Sequence, residues 1–423
     1  MSERIEIQPT GPAHGSIRPP GSKSITNRAL VCAALADGRS TLEGALDSED
    51  TQVMIESLGR LGIGVLHDRA QRRIEVDGCG GRIPASAAEL YVSNSGTSMR
   101  FLASMVALGQ GRYVLDGNPR MRQRPIEDLV AALRELGVDA ESTAGFPPVT
   151  IQAVGLPTGR AMVAGDVSSQ FLSGLLMAVP SAAGPVELVV AGTLVSQPYV
   201  EMTLRVMRSF GVMLKTDELR RFATAGRQLY HACRYAIEPD ASAASYFFAA
   251  AAITRGRVTV EGLSRDSLQG DVGFCQCLEQ MGCEVQYEPD RITVTGRELQ
   301  GIDVNMNAIS DTVQTLSAVA LFARGPTTIT GVGHIRHKET DRIHAVATEL
   351  RKLGATVDEQ PEGLRIEPGT LHGAELATYD DHRMAMSMAL AGLVVPGVVI
   401  LDPGCTRKTY PEFFQDLARV TAS

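Results

Sequence analysis

Apolar and polar positions along the chain fall into a pattern that returns about every seventy residues. Each return opens on a small-residue apolar stretch with a polar start: "SKSITNRALVCAALA", "SNSGTSMRFLASMVAL", "DVSSQFLSGLLMAVP", "DASAASYFFAAAAI", "SDTVQTLSAVALFA" and "YDDHRMAMSMALAGL". These stretches carry little polar surface along their length. They predict buried helices whose charges and hydroxyls are confined to the first turn. A short strand ending in Gly follows each: "STLEG", "YVLDG", "LVVAG", "VTVEG", "TTITG" and the degenerate "VILDPG". The first five end at Gly44, Gly117, Gly192, Gly262 and Gly331, which lie 73, 75, 70 and 69 residues apart. Amphipathic stretches such as "PIEDLVAALRELG" come next, with apolar residues at helical spacing and a Gly stop. Their ends read Leu61-Gly62, Leu136-Gly137, Phe210-Gly211, Met281-Gly282 and Leu353-Gly354. One or two strands then close the unit, as in "EVQYEPDRITVTG".

Each unit therefore reads helix, strand, helix, strand, strand. Six such units predict an α/β protein of two lobes with three units apiece. The sixth unit stops after its second helix, "PEFFQDLARV", while the N-terminal "RIEIQPTGPAHGSIRPP" reads as a strand pair without a unit of its own. The economical expectation is that the N-terminus completes the last unit. One lobe is then discontinuous, residues 1–21 plus 240–423, and the other is 22–239. The chain crosses between them near Gly21 and near Pro239-Asp240.

Composition narrows the function classes. At 423 residues the chain exceeds one ordinary core. It is 44% hydrophobic and 21% charged, as soluble globular proteins are. A net charge of −8 disfavours a general nucleic-acid binder. No apolar run is long enough to span a bilayer, and "MSERIEIQPT" has no apolar core of a signal peptide, so neither a membrane anchor nor a long leader is expected. Seven scattered cysteines suggest reduced thiols and a cytoplasmic protein. Cys275 and Cys277 form a C-x-C without a second pair, so no metal is expected.

The polar chemistry collects at the six helix starts, where unsatisfied N–H groups and a partial positive charge favour anions. The side chains there are Lys23, Ser24 and Arg28; Asn94, Thr97 and Arg100; Ser168, Ser169 and Gln170; Asp240 and Ser242; Asp311; and Asp380, Asp381, His382 and Arg383. N-capping accounts for most of the single hydroxyls and acids. It does not account for Lys23, Arg28, Arg100 or Arg383, because a cation there opposes the helix dipole. These cations point to an anionic ligand. "PPGSKSITNRAL" is not a nucleotide loop, since Ser22 stands where a Walker motif has Gly.

Three further runs add charge. "RMRQRPIED" carries Arg120, Arg122 and Arg124, and "TRKTYPEFF" carries Arg407 and Lys408. "RHKETDRIH" carries Lys338, Glu339, Asp341 and Arg342, and on a helix Lys338 and Arg342 share a face. The ordinary reading of such runs is a solvated surface. Against it, they occupy equivalent places in several units, and equivalent places in a repeat converge.

Taken together, "GSKSITNRA", "NSGTSMR", "RMRQRPI", "GDVSSQF", "RHKETDR", "DDHRMAM" and "DPGCTRKTYPEFF" resemble the 5-enolpyruvylshikimate-3-phosphate synthases, in order, from about residue 19 to 414. The resemblance implies two lobes of three β-α-β-α-β-β repeats, the inside-out α/β barrel of the enolpyruvyl transferases, with the active site in the cleft between lobes. It implies transfer of enolpyruvyl from phosphoenolpyruvate to the 5-hydroxyl of shikimate 3-phosphate, in aromatic amino-acid biosynthesis by the shikimate pathway. No cofactor, nucleic acid or membrane is implied, and a monomer is expected.

Carried over by residue, Lys23, Ser24, Arg28, Ser168, Ser169, Gln170, Ser196, Tyr199, Asp311 and Lys338 would hold shikimate 3-phosphate. Lys23, Gly96, Arg124, Gln170, Arg342, Arg383 and Lys408 would hold phosphoenolpyruvate. Asp311 resembles the family's proton acceptor and Glu339 its donor. Gly96 would line a pocket shared with the family's inhibitor glyphosate.

Two substrates that are both polyanions need such a floor of Arg and Lys. The chain departs from the family at Phe101, where Pro is typical, a change expected to shift the helix that carries Gly96. It departs again at His334, where relatives often have Asn, and at Gln123, where Glu is common. The sister transferase acting on UDP-N-acetylglucosamine is disfavoured, because the loop "DGNPRMRQRP" lacks that enzyme's Cys. A DNA clamp is disfavoured by the net charge, and a zinc enzyme by the spacing of His334, His337 and His344.

Overall fold

The small-residue stretches form six helices buried along almost their whole length. They are α1 (Lys23–Leu35), α3 (Gly96–Val106), α5 (Ser169–Ala178), α7 (Ala241–Thr254), α9 (Val313–Ala320) and α11 (His382–Gly392). The amphipathic stretches form α2 (Glu49–Arg60), α4 (Glu127–Glu135), α6 (Gln197–Ser209), α8 (Phe274–Gln280), α10 (Arg342–Lys352) and α12 (Phe413–Thr421). The structure, a computed structural model, describes residues 3–422.

Small residues let the buried helices approach each other. A Cβ on Gly174 of α5 would lie 2.7 Å from Ser104 Oγ and 2.8 Å from the Arg100 carbonyl oxygen of α3, so only Gly fits that crossing. The Leu-Gly signature stops α2 as expected, with Gly62 left-handed at φ +83°.

The chain divides into two compact units, one of Gly21–Ile237 and one of Met1–Pro20 with Glu238–Ser423. Each described unit holds three sheets, five of the six sharing one strand order. Two parallel strands connected through a buried helix stand side by side, and an antiparallel hairpin completes the row. In the first unit one sheet runs Ala87–Tyr91, Gln110–Asp116, Phe146–Val154 and Asp139–Thr143; another runs Gly159–Ala164, Val186–Ala191, Arg221–Thr224 and Lys215–Asp217. The third starts at Ala36–Glu43, and its parallel neighbour comes from far along the chain, as Tyr230–His231 and Arg234–Ala236.

The second unit repeats the device. His14–Ile17 lies parallel to Arg257–Glu261, where the strand before α7 would otherwise stand. Arg4–Ile7 pairs antiparallel with Val398–Leu401 and takes the place of the hairpin that the sixth repeat lacks. The expectation that the whole N-terminal pair completes the last repeat is thus half corrected: its first strand does so, and its second completes the fourth. The reason is topological. The fourth repeat begins just after a chain crossing, so its buried helix has no preceding strand of its own to return beside.

Candidate active site

The caps come first, because they fix the helix starts. Ser22, Ser95, Ser168, Asp240 and Asp381 each accept from a backbone N–H in the first turn of α1, α3, α5, α7 and α11. Ser168 therefore acts as a cap, accepting from the Gln170 N–H at 3.3 Å, and keeps its hydroxyl proton for donation.

In the unit Gly21–Ile237 the cations gather around α1 and α3. Arg28 is buried, and all its partners among the described residues are neutral: Thr203 Oγ1 at 2.7 Å, the Ser24 carbonyl at 2.9 Å, the Tyr199 carbonyl at 3.2 Å and Ser173 Oγ at 3.5 Å. The rings of Phe101 and Tyr199 flank its guanidinium at 5.2 and 5.9 Å. Burial pulls Arg28 down to about 10, against weaker opposing pulls from Tyr199 and Cys32. A guanidinium held this way remains charged at neutral pH and lacks a carboxylate. Arg124 is likewise buried and donates to the Asn94 carbonyl at 3.1 Å and to Asn94 Oδ1 at 3.2 Å. Beside it lies Gly96, the first residue of α3. Gln170 Nε2 reaches Thr97 Oγ1 at 3.4 Å, which ties α5 to the same turn.

Lys23 pairs with the buried Asp50 of α2 at 3.3 Å. Ser24 stands beside Lys23 in the first turn of α1, Ser169 follows the α5 cap, and Ser196 precedes α6 in a left-handed conformation at φ +52°.

In the second unit the clusters are ionic. Asp311, in the 3-10 segment Asn307–Thr312, accepts from Lys338 Nζ at 2.5 Å, Arg383 Nη2 at 2.8 Å and Arg342 Nη1 at 3.3 Å. Arg342 is fully buried and forks onto Asp381 at 2.7 and 3.2 Å, and onto Glu339 at 2.9 Å. Lys408 takes the other Glu339 oxygen at 3.1 Å. Four cations thus face three carboxylates. Burial disfavours the charge on Arg342, but Asp381, Glu339 and Asp311 outweigh it and raise the group above the ordinary arginine range. Burial also dominates at Lys338, which is lowered despite Asp311. His334 is pushed down to about 3 by burial and then by the Lys338 ammonium.

A family model described as EPSP synthase (3-phosphoshikimate 1-carboxyvinyltransferase) matches residues 7–417. The chain belongs to the EPSP synthase family. Among its relatives, the 3-phosphoshikimate 1-carboxyvinyltransferase of Nostoc punctiforme is 50% identical over 406 residues, 95% of either chain. The chloroplastic enzyme of that name from Arabidopsis thaliana is 49% identical over 441 residues, 99% of this chain and 85% of its own. A solved EPSP synthase from Acinetobacter baumannii superposes with a TM-score of 0.83 at 27% identity, covering 99% and 98% of the two chains. The enolpyruvyl transferase NikO of Streptomyces tendae, at 20% identity and a TM-score of 0.78, shares the fold.

With the EPSP synthase family in hand, each sequence expectation has a location. Lys23, Ser24, Arg28, Gly96, Arg124, Ser168, Ser169, Gln170, Ser196 and Tyr199 all lie on the Gly21–Ile237 unit. Asp311, Lys338, Glu339, Arg342, Arg383 and Lys408 lie on the other. One local expectation fails. Lys338 and Arg342 do not share a helix, because α10 begins at Arg342 with Asp341 as its cap, and Lys338 ends the 3-10 turn Gly333–His337. They meet through Asp311 instead. In "RMRQR", Arg122 is exposed and paired with Asp116, while Arg124, the one assigned to the site, is buried. Phe101 sits fully buried within an uninterrupted α3. Sequence reasoning missed Asp50, whose acidic "DSED" context looks like ordinary helix capping, and gave Asp381 no role beyond its helix start.

Proposed function

We infer that this chain catalyses the reaction for which its family is named. The carboxyvinyl group of phosphoenolpyruvate moves to the 5-hydroxyl of shikimate 3-phosphate, and phosphate leaves. The observation that carries the reading is the family match over residues 7–417, supported by relatives of the same name at close to half identity over nearly the full chain. The sister transferase on UDP-N-acetylglucosamine gains no support from these relatives.

The two units would contribute different halves of the chemistry to one pair of ligands. On the Gly21–Ile237 unit, Arg28 and Arg124 have only neutral partners among the described residues, so a phosphate or carboxylate adds the missing counter-charge. We assign shikimate 3-phosphate to Lys23, Ser24, Arg28, Ser168, Ser169, Gln170, Ser196 and Tyr199 here, with Asp311 and Lys338 from the other unit. Phosphoenolpyruvate is assigned to Lys23, Gly96, Arg124, Gln170, Arg342, Arg383 and Lys408.

The ionic cluster suggests how the acid–base pair is released. The 5-hydroxyl must lose a proton, and the methylene carbon of phosphoenolpyruvate must gain one. Three cations occupy Asp311, and two occupy Glu339. An anionic substrate that draws Arg342, Arg383 and Lys408 onto itself strips Glu339 of both these cations and leaves Lys338 on Asp311. Asp311 is then placed to accept the hydroxyl proton, and Glu339, relieved of its two cations, can take a proton from solvent and give it to the methylene carbon; as phosphate leaves, the methyl group so formed loses a proton and the carboxyvinyl double bond is restored. Holding two substrates together is itself worth up to about 7–11 kcal/mol of barrier.

Phosphate release should require both substrates at once. Release from phosphoenolpyruvate alone, or with UDP-N-acetylglucosamine in place of shikimate 3-phosphate, would overturn the reading. We further propose a monomer, which gel filtration tests. A cytoplasmic location is also proposed; relatives include chloroplastic plant enzymes, and fractionation of the source cells decides it.

A further inference from the structure

α10 is fastened to the segment that leads into α11 at two points. The first is the Arg342–Asp381 fork. The second is Glu349, seven residues further on and so on the same helix face, about 10 Å along the axis. Its carboxylate is fully buried. It accepts from the Ala377 N–H at 3.0 Å, the Tyr379 hydroxyl at 2.6 Å and Lys352 Nζ at 2.8 Å. A carboxylate so deeply buried is stable only when paired and hydrogen-bonded, and here it is both.

Between the two fasteners the backbone is strained. Tyr379 and Asp380 are consecutive non-Gly residues in the left-handed region, at φ +55° and +54°. Each is costly for a residue with a side chain and persists only where the surroundings over-determine it. The Asp381 N–H closes the turn on the Thr378 carbonyl at 2.9 Å. Thr378 Oγ1 lies 3.5 Å from the Asp402 carbonyl, next to the 3-10 turn Pro403–Lys408. One turn therefore sets Asp381, which aligns Arg342 and caps the helix bearing Arg383, and it touches the segment bearing Lys408. Lys338 and Asp311 stand on other segments.

We propose that Glu349 and Tyr379 are positioning residues, and that their clamp on the 377–381 turn selectively orders Arg342, Arg383 and Lys408. The proposal rests on the functional reading above, in which those three cations hold phosphoenolpyruvate. It adds that these three phosphoenolpyruvate cations are set by one turn, whereas the residues assigned to shikimate 3-phosphate stand on other segments, Asp311 touching the set through its bonds to Arg342 and Arg383. A purely structural role for the same bonds would lower Tm and leave both KM values alone.

The test uses Tyr379→Phe and Glu349→Gln in the full chain. Tyr379 is 39% exposed, so losing its hydroxyl leaves the fold intact. Tyr379→Phe should raise the KM for phosphoenolpyruvate about 3- to 10-fold, the worth of one hydrogen bond, and keep that for shikimate 3-phosphate within about twofold. Glu349→Gln should act in the same direction and more strongly. Amide hydrogen exchange, which needs no turnover, should quicken over residues 378–383 in both variants. If the wild type released no phosphate, the functional reading would fall, while faster exchange confined to that turn would still support the clamp. Wild-type exchange there in Tyr379→Phe, or equal rises in both KM values, would overturn the proposal.

Discussion

Replacing Gly96 by Ala tests the placement of Arg124. A Cβ built on Gly96 lies 2.4 Å from Arg124 Nη2, 2.8 Å from its Cζ and 2.7 Å from Arg100 Nη1. Ordinary contact begins near 3.4 Å, so the Arg124 nitrogen must retreat by about 1 Å (3.4 − 2.4). What yields is the far end of a flexible side chain. The fold is therefore spared, and Ala in place of Gly in a helix favours it by up to about 1 kcal/mol. The guanidinium is not spared. A retreat of that size draws it off Asn94, where its bonds are already 3.1 and 3.2 Å long. It also moves the group off the proposed phosphoenolpyruvate contact. A charge-assisted hydrogen bond is worth roughly 1.5–3 kcal/mol, so the KM for phosphoenolpyruvate should rise about 10- to 100-fold. Glyphosate, a longer anion for the same pocket, should lose more, because it meets both the methyl group and the displaced arginine. The assay is steady-state phosphate release at matched phosphoenolpyruvate, with a melting curve beside it. An unchanged Tm with both constants shifted fits the argument. A KM within about twofold of wild type and equal inhibition of the two proteins would refute it, because Arg124 would then have moved without consequence.

Lys23→Ala should cut turnover at least about a hundredfold and also lower stability by roughly 3 kcal/mol, since Asp50 is left as a buried unpaired carboxylate. Adding Asp50→Ala should restore the Tm but not the turnover, and restoration of both would make Lys23 merely structural. Asp311→Asn should bind shikimate 3-phosphate by calorimetry while turnover drops about 10²- to 10⁴-fold; near-normal turnover would remove it as the proton acceptor. Lys23 and Asp311 lie on different units, so joint dependence of one turnover on both also tests the two-unit reading. His334 lies at about 3 when folded against an ordinary 6.5, so below pH 6.5 the unfolded chain binds the extra proton. Stability from this group is intact above 6.5 and falls as pH drops from there towards 3, by at most about 1.4 kcal/mol per pH unit. His334→Asn should gain Tm on the wild type as pH is lowered from 6.5 to 4, and a difference independent of pH would exclude the effect.

The repeats were legible because their signals are local. A Gly after a short strand and a Leu-Gly at a helix end need no knowledge of distant partners, and Gly62 adopts the left-handed stop that the pattern requires. The partner of His14–Ile17 was not legible. The first, fourth and sixth repeats each lacked strands of their own, and which vacancy a strand fills is settled by packing across the chain. The cations were legible because a positive charge at a buried helix start defies the dipole. Two of the buried acids were not. Asp50 and Glu349 sit in amphipathic helices, where an acid on the buried face and one on the wet face look alike in a sequence. The spacing of seven between Arg342 and Glu349 was the available sign that both share the inner face. Arg122 and Arg124 show the same limit: two residues apart in one run, they are separated by a single 3-10 turn into surface and interior.

The split of the second unit bears on how the chain is made. His14–Ile17 emerges from the ribosome long before its partner, which begins 243 positions later (257 − 14), and Arg4 pairs with Leu401 after another 144 (401 − 257). At about 5–20 residues per second, the first wait alone lasts tens of seconds. The Gly21–Ile237 unit has every strand it needs as soon as residue 237 is out, so it can fold behind a tethered, unpaired arm. That arm offers open edges with Ile5, Ile7 and Ile17 along them, the kind of strand that neighbouring nascent chains can capture. Anything that shields the first twenty residues during synthesis therefore governs the last step of assembly rather than the first.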